Sequence, residues 1–459
     1  MHKGFVLIFF FFIVQYSFSQ KSRYDNLELY TPYNLDSYSK FPLKTIRIKA
    51  HVILYSEENP KNFIHRKDST KLADEINNQL NKIYSTLSKP TLKADNYVPH
   101  IVDSRMRFRV EEVLFHVDPE LISSENLTEG KGNGAPWKID SVDVEKNELI
   151  LKNHAYKYFK KKPKGMDSLI VFLKNQSKIC LHFDTAYLEN NISKIKIREP
   201  LKNLEVEQVN YFLFKSTGCS SDLFNKYAFH DSSYLHIFFT KSKLSNGAGG
   251  CGPSPLFMKV GNFDYYNGGM ETIAHEIGHC MGLSHTDYPQ FDDLPKKDVL
   301  CSTCYCDSIS VSNNIMGYNF CKNYLSPKQI AFIYKEYNSQ ADKIKTTTDA
   351  IYDEKRYLYY NNDSIKRNLT FGGDIIIKKK KTLVLTHTLS LPEGASVYVE
   401  KKAKLVVDGG KITNLSGKNW EGVKYVKKFK SNRQKIKSIH SSSHSFVEFK
   451  NKGSIEKTK

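Results

Sequence analysis

The sequence predicts an α+β fold, a mixed sheet with packed helices, followed by a small all-β C-terminal module. Three observations lead there. Thr45–Tyr55 alternates, with Ile46, Ile48, Ala50, Val52 and Leu54 on one side, the pattern of a half-buried strand. Leu72, Ile76, Leu80, Ile83 and Leu87 then recur at helical spacing and stop before Pro90, which describes an amphipathic helix lying on the sheet. Beyond residue 346 short strand-like runs return about every ten residues, separated by Gly, Asn and Lys, as in an all-β module.

The remaining elements follow in chain order. Residues 1–14 read MHKGFVLIFFFFIV, a basic residue and then an apolar run, with Ser17-Phe-Ser19 after it. This matches a secretory signal peptide over 1–19, cleaved after Ser19. The run is shorter than the roughly 20 residues a membrane span needs, so a secreted or cell-surface protein without a transmembrane segment is expected. Residues 20–41 read as an irregular arm. Within 42–345, Arg105–Val113 alternates again, 124–165 is polar and Lys/Gly-rich like a surface insertion, and Leu169–Leu173 and Leu235–Thr240 read as buried strands. Gly247-Ala-Gly-Gly-Cys-Gly-Pro253 lacks the Gly-Lys-Ser/Thr ending of a phosphate loop and is expected to form a flexible rim of a cleft. Ser326-Pro-Lys-Gln329 starts a helix with a capping-box pair and proline in its first turn, and that helix should run to about Gln340.

Residues 275–285 carry the chemistry. They read His275-Glu-Ile-Gly-His279-Cys-Met-Gly-Leu-Ser-His285. On an α-helix, positions i and i+4 project from one face one turn apart, so His275 and His279 can share one ion. Gly282 can take the left-handed conformation that ends a helix, which lets the chain turn back and deliver His285. Three protein ligands leave a tetrahedral Zn²⁺ one position for water, the mark of a catalytic site. Glu276, beside the first histidine, is placed to act as general base on that water.

A second string lies downstream, Asn313-Asn-Ile-Met-Gly-Tyr318, followed by Cys321 and Leu325-Ser-Pro-Lys-Gln-Ile330. Together with the histidine string it resembles the metzincin zinc endopeptidases and their Met-turn. The resemblance is narrowest to the pappalysin-like (cytophagalysin) branch, whose opening strands Thr45–Leu54 and Arg105–Val113 also resemble. It implies a metzincin-type catalytic domain over roughly 42–345, with a twisted sheet and an active-site helix. It further implies that Met316 floors the zinc histidines, that Tyr318 points its phenol at the metal or the developing oxyanion, and that structural Ca²⁺ accompanies the Zn²⁺. The resemblance also implies that Cys321 pairs with a cysteine of the 301–306 loop. Two departures stand near the cleft: Asp298–Cys306 replaces an Asp-Thr-Pro-like segment, and Gly317 replaces a common aspartate. Side-chain preference therefore does not transfer.

Eight cysteines suit an oxidising compartment, and the Cys301-x-x-Cys304-x-Cys306 run reads as disulfides or as a second metal site. The formal net charge is +19, and residues 349–459 hold 24 Lys/Arg against 11 Asp/Glu. Such an excess favours anionic surfaces, so association with an anionic cell surface through the C-terminal region is expected. No motif for specific nucleic-acid binding accompanies it. Within the C-terminal module, Thr382–Gly422 weakly resembles β-solenoid rungs, with an ordinary sandwich as the alternative. The boundaries are 346–435 for this module and 436–459 for a basic tail with no apolar period, the composition of a disordered segment. The function expected is secreted zinc-dependent endopeptidase, acting on protein or peptide substrates. The rivals are a surface binding or adhesion protein with an inactive domain of this type, and a zinc hydrolase of non-peptide bonds. The intact Glu276 and three histidines weigh against the first.

Overall fold

The structure, a computed structural model, describes residues 23–31, 43–118, 137–152, 168–210, 222–240, 250–261, 269–429 and 446–456, apart from most of 55–63 and positions 97–98, 175–177, 191, 288–289, 300 and 302–303. The expected signal peptide, most of the arm, Cys219 and Gly247–Gly249 lie outside the described residues. No helix among the described residues is long and apolar enough to cross a membrane.

The described part of the arm is built in rather than loose. Its 3₁₀ turn Leu27–Tyr30 buries Leu27 and Tyr30 in the main core. Tyr24 stacks on Phe332 at 5.3 Å, and Arg23 donates to Glu336 at 2.8 Å. Aromatic and aliphatic side chains, spaced too irregularly to signal an element, supply the contact.

Strand β1 (Lys44–Leu54) leads into a helical segment, α1, made of Ser69–Glu75, a π-helical turn Ile76–Leu80 and Asn81–Ser85. The wider π turn rotates the apolar face, so that Leu72, Ile76, Leu80 and Tyr84 are fully buried while the expected Ile83 lies at the margin. Tyr84 donates its hydroxyl to the carbonyl of Ala274 at 2.9 Å. Strand β2 (Met106–Val117) follows.

An inserted seven-stranded sheet comes next: β3 (Trp137–Lys138), β4 (Ser141–Asp143), β5 (Glu148–Lys152), β6 (Ser168–Leu173), β7 (Lys178–Glu189), β8 (Ile192–Ile197) and β9 (Val206–Asn210). Its order is β3-β9-β6-β7-β8-β5-β4, and its own small core contains Leu149, Leu151, Val171, Ile195 and Ile197. The polar stretch expected as a plain surface insertion thus contributes strands, and Leu169–Leu173 belongs to this second sheet. The pairing of β5 with β8 is non-local, which the local pattern around 148–152 does not announce.

Helix α2 (Asp222–Tyr227) precedes β10 (Leu235–Thr240), β11 (Gly250–Ser254) and β12 (Phe257–Gly261). The main sheet runs β11-β12-β10-β1-β2, all neighbours parallel except the antiparallel edge pair β11–β12. This is the mixed sheet of an α+β fold. Strand β1 lies inside it and is buried on both faces, not one, as the interior strand of a largely parallel sheet must be.

On the face away from α1, three neighbouring strands join their histidines into a chain. The Nε2 of His236 lies 2.7 Å from the Asp231 carbonyl, its Nδ1 2.8 Å from His51 Nε2, and His51 Nδ1 2.9 Å from His116 Nε2. A carbonyl only accepts, so each ring donates through Nε2 and accepts through Nδ1, and every link holds one proton. Another proton on His51 or His236 keeps every link only if His116 moves its own proton to Nδ1 and accepts at Nε2. Burial pushes His51 down to about 2 and His116 to about 4, and lowers His236. Lys49, Arg66 and Lys226 act in the same direction, while Asp118 and Asp231 oppose them. Unfolded imidazoles protonate near 6.5, so below that pH the unfolded chain binds more protons. Stability is full above about pH 6.5 and falls as the pH drops toward 4, by up to about 1.4 kcal/mol per pH unit for each such group. Urea melts at pH 7, 6 and 5 should shift to lower midpoints, and His51→Gln should flatten the dependence.

The C-terminal module is a stack of parallel rungs. The first has β13 (Lys355–Tyr359), β14 (Asp363–Ile365) and β15 (Leu369–Thr370). The second has β16 (Gly373–Ile377), β17 (Thr382–Leu385) and β18 (Thr388–Ser390). The third has β19 (Ser396–Glu400), β20 (Lys404–Asp408) and β21 (Lys411–Thr413). The last has β22 (Gly422–Val426), β23 (Val447–Lys450) and β24 (Ser454–Ile455). Each strand pairs in parallel with its counterpart in the next rung, giving three four-stranded sheets around a core of Ile375, Leu383, Val397, Leu405, Ile412 and their neighbours. Parallel stacking of this kind makes a solenoid; a sandwich of hairpins would be antiparallel. Residues 447–455, expected within a disordered tail, form the last rung. Val447 and Ile455 pack on the module's core through pairing with β20 and β21, strands far back in the chain, so no local period reveals them.

Lys44, at the start of β1, is fully buried against this module. It forms an ion pair with Asp349 and donates to the Thr370 carbonyl at 2.9 Å.

Candidate metal centre

Helix α3 (Gly269–Cys280) lies across β11 and β12 and buries Ile273, Ala274 and Ile277 in the main core. Its end is a Schellman turn. Gly282 has φ +100°, its N–H donates to the His279 carbonyl at 2.8 Å, and Leu283 N–H donates to Gly278 at 3.0 Å. That reversal brings His285 back over the helix. The side chains of His275, His279 and His285 converge into one cluster that could hold a metal ion. Their Nε2 atoms lie 2.9 Å apart for His279–His285 and 3.1 Å for His285–His275.

Backbone carbonyls set the protonation of two rings. His275 Nδ1 is 2.7 Å from the Ile315 carbonyl, and His279 Nδ1 is 2.8 Å from that of Leu283. Each Nδ1 must therefore carry the proton, which leaves both Nε2 lone pairs bare and aimed at the same point. Bare lone pairs this close repel unless a cation lies between them. Nitrogens around a tetrahedral ion with N–metal distances of about 2.0–2.1 Å are separated by about 3.3 Å, close to the spacing found. Burial lowers the pKa of all three rings, to about 4 for His279. They are neutral at pH 7, as ligands must be. The donor set fits a divalent ion.

No family model, curated protein or solved structure matches the chain.

Glu276 is buried beside the first histidine, and the glycines of the β11 edge make room for it. A Cβ at Gly250 would stand 2.6 Å from Glu276 Cγ, and one at Gly252 would stand 2.2 Å from the Glu276 carbonyl oxygen. The part of the glycine run within the described residues is therefore an edge strand pressed onto α3, not a flexible rim. Met316 lies under the helix: a Cβ at Gly278 would stand 2.2 Å from its Sδ. Its turn is held by Asn314, whose side-chain oxygen accepts from Met316 N–H at 2.9 Å. Tyr318 places its ring 4.7 Å from that of His285 and 5.6 Å from that of His275. Burial and the nearby Glu276 and Asp287 carboxylates raise its pKa, so the phenol keeps its proton.

Two disulfides brace the loop beside Tyr318, Cys301–Cys304 and Cys306–Cys321. The Cys-x-x-Cys-x-Cys run is thus used in bridges. Asp298 holds the other side of the loop, accepting from Ser312 N–H at 2.9 Å and from the Thr286 and Ser312 hydroxyls. Among the described residues no second group of three or more His, Cys, Asp or Glu side chains converges.

Sequence reasoning missed two residues here. Asp287 keeps one buried carboxylate oxygen without a hydrogen-bond partner among the described residues, close enough to raise the pKa of His285 and Tyr318. Lys322, after the bridged cysteine, is largely buried, which lowers its pKa against the opposing effect of Glu271 and Glu276. A carboxylate following the third histidine was a usable signal; nothing local marked the lysine.

His279→Ala removes one of the two rings whose tautomer the backbone fixes. Metal analysis after incubation with a divalent ion should find less bound metal in the purified variant than in the parent, because two imidazoles form a much weaker site than three.

Proposed function

We propose that this chain is an exported zinc-dependent endopeptidase of metzincin type. The observation that carries the reading is the meeting of three neutral imidazoles, two with Nε2 bared by backbone carbonyls, beside a buried carboxylate and a protonated phenol. His275, His279 and His285 would hold the Zn²⁺, which would supply a water of pKa lowered from about 15.7 toward 7 and polarisation of the scissile carbonyl. Glu276 takes the proton of the attacking water and returns it to the leaving amine. Tyr318 donates a hydrogen bond to the oxyanion that develops, a role worth about 2–4 kcal/mol. The edge strand β11 offers main-chain groups beside the site, with which extended substrate can pair by strand addition. Such pairing suits a polypeptide better than a small ester or amide.

Digestion of a proteome-derived peptide library, read by mass spectrometry, tests the reading. Cleavage that a chelator abolishes and zinc restores supports it. A zinc-loaded protein that cleaves no peptide overturns it.

A further inference from the structure

The module's strongest charge pattern is a ridge along one corner of the solenoid. In the second and third rungs the corner is the same turn: Lys381 N–H donates to the Lys378 carbonyl at 3.0 Å, and Ala403 N–H to the Glu400 carbonyl at 2.8 Å. The third residue of each turn has positive φ, +61° at Lys380 and +63° at Lys402. Glycine or asparagine enters that conformation at lower cost, yet lysine occupies it twice. Ile377 pairs with Val399, and Glu400 with Val426, so the residues that follow superpose. Lys379, Lys401 and Lys427 form one column, and Lys380, Lys402 and Lys428 form a second. All six are exposed.

Glu400, at the start of the third-rung turn, is taken up by Lys378 at 2.8 Å and by the N–H groups of Lys379 and Phe429, both at 3.0 Å. None of the six ridge lysines has an acidic partner among the described residues. Neighbouring rungs are about 4.8 Å apart, well inside the Debye length of about 8 Å. Like charges stacked at that interval repel, and their field adds along a straight line.

We propose that this corner binds a linear acidic polysaccharide, its carboxylates or sulfates running along the two lysine columns. The shape selects the ligand. A membrane would meet a single corner, and the six positions include no apolar residue to insert. Single-stranded nucleic acid is held by successive aromatic platforms, and among the described residues only Tyr360, in the first rung, is an exposed aromatic beside Lys378. A polyanion with a charge on each unit needs only what the ridge repeats from rung to rung. The inference is independent of the peptidase reading, so binding is measured in the presence of chelator.

The test uses the full chain with immobilised heparin and polygalacturonate as sulfated and carboxylated probes. A ridge variant, K379Q/K380Q/K401Q/K402Q, is compared with a charge-matched control elsewhere, K67Q/K89Q/K202Q/K297Q, after circular dichroism confirms that both fold. The ridge variant should bind at least one probe about tenfold more weakly at about 50 mM salt, with a shallower salt dependence, while the control stays near the parent. Equal loss in both variants would reduce the effect to net charge and overturn the proposal. So would failure of the parent to bind either polysaccharide. Displacement of the polysaccharide by phosphatidylserine vesicles or oligothymidine at lower concentration would reassign the ridge to lipid or nucleic acid.

Discussion

Glu276→Gln should keep its zinc and lose about 10²–10⁴-fold in turnover, the usual contribution of a positioned general base. The amide has the shape of the carboxylate, so it fits the narrow space that Gly250 and Gly252 leave under the edge strand. It cannot take a proton at neutral pH. The three imidazoles are positioned by Ile315, Leu283 and the turn at Gly282, none of which depends on Glu276. Metal content and melting temperature should therefore match the parent, while hydrolysis of a peptide found in the library digest collapses. A variant that retains full activity with zinc bound would remove Glu276 from the mechanism and, with it, the reaction proposed.

Lys44→Met should destabilise the chain by about 3–5 kcal/mol, the cost of breaking a buried ion pair by removing one partner. Lys44 is completely enclosed, and its pKa is lowered chiefly by burial, with the Asp349 carboxylate opposing that effect. With methionine in place, Asp349 loses its buried ion-pair partner and the Thr370 carbonyl loses the Lys44 donor. The double variant Lys44→Met/Asp349→Leu should recover most of the loss, because both charges leave together. Denaturant midpoints of the three proteins check this. Equal midpoints for parent and single variant would show that the pair contributes nothing at the junction of β1 with the solenoid.

What was legible in advance was local. The histidine string, the glycine that ends its helix and the capping box of the helix α4 (Pro327–Ser339) act within one or two helical turns. The main-sheet strands β1, β2 and β10 were readable because their apolar alternation or apolar runs occur within each strand. Most of the inserted sheet and the last two strands of the final solenoid rung were not, because their apolar residues pair with strands far along the chain. The histidine chain of His51, His116 and His236 was invisible for the same reason. Each histidine sits singly in its own strand, and only the parallel register makes them neighbours.

The sequence by itself determined which atoms could grip a metal: spacing on a helix is a property of the backbone, so His275 and His279 share a face wherever that helix lies. Only the tertiary structure decided how those atoms are prepared. The carbonyl of Ile315, forty residues away, settles the tautomer of His275, and two glycines of a distant edge strand open the space for Glu276. The same division holds at the solenoid corner, where lysines ordinary in a linear reading become columns once parallel rungs stack. Periodicity reports the face a residue occupies, but through-space partners depend on packing among segments that no local pattern joins.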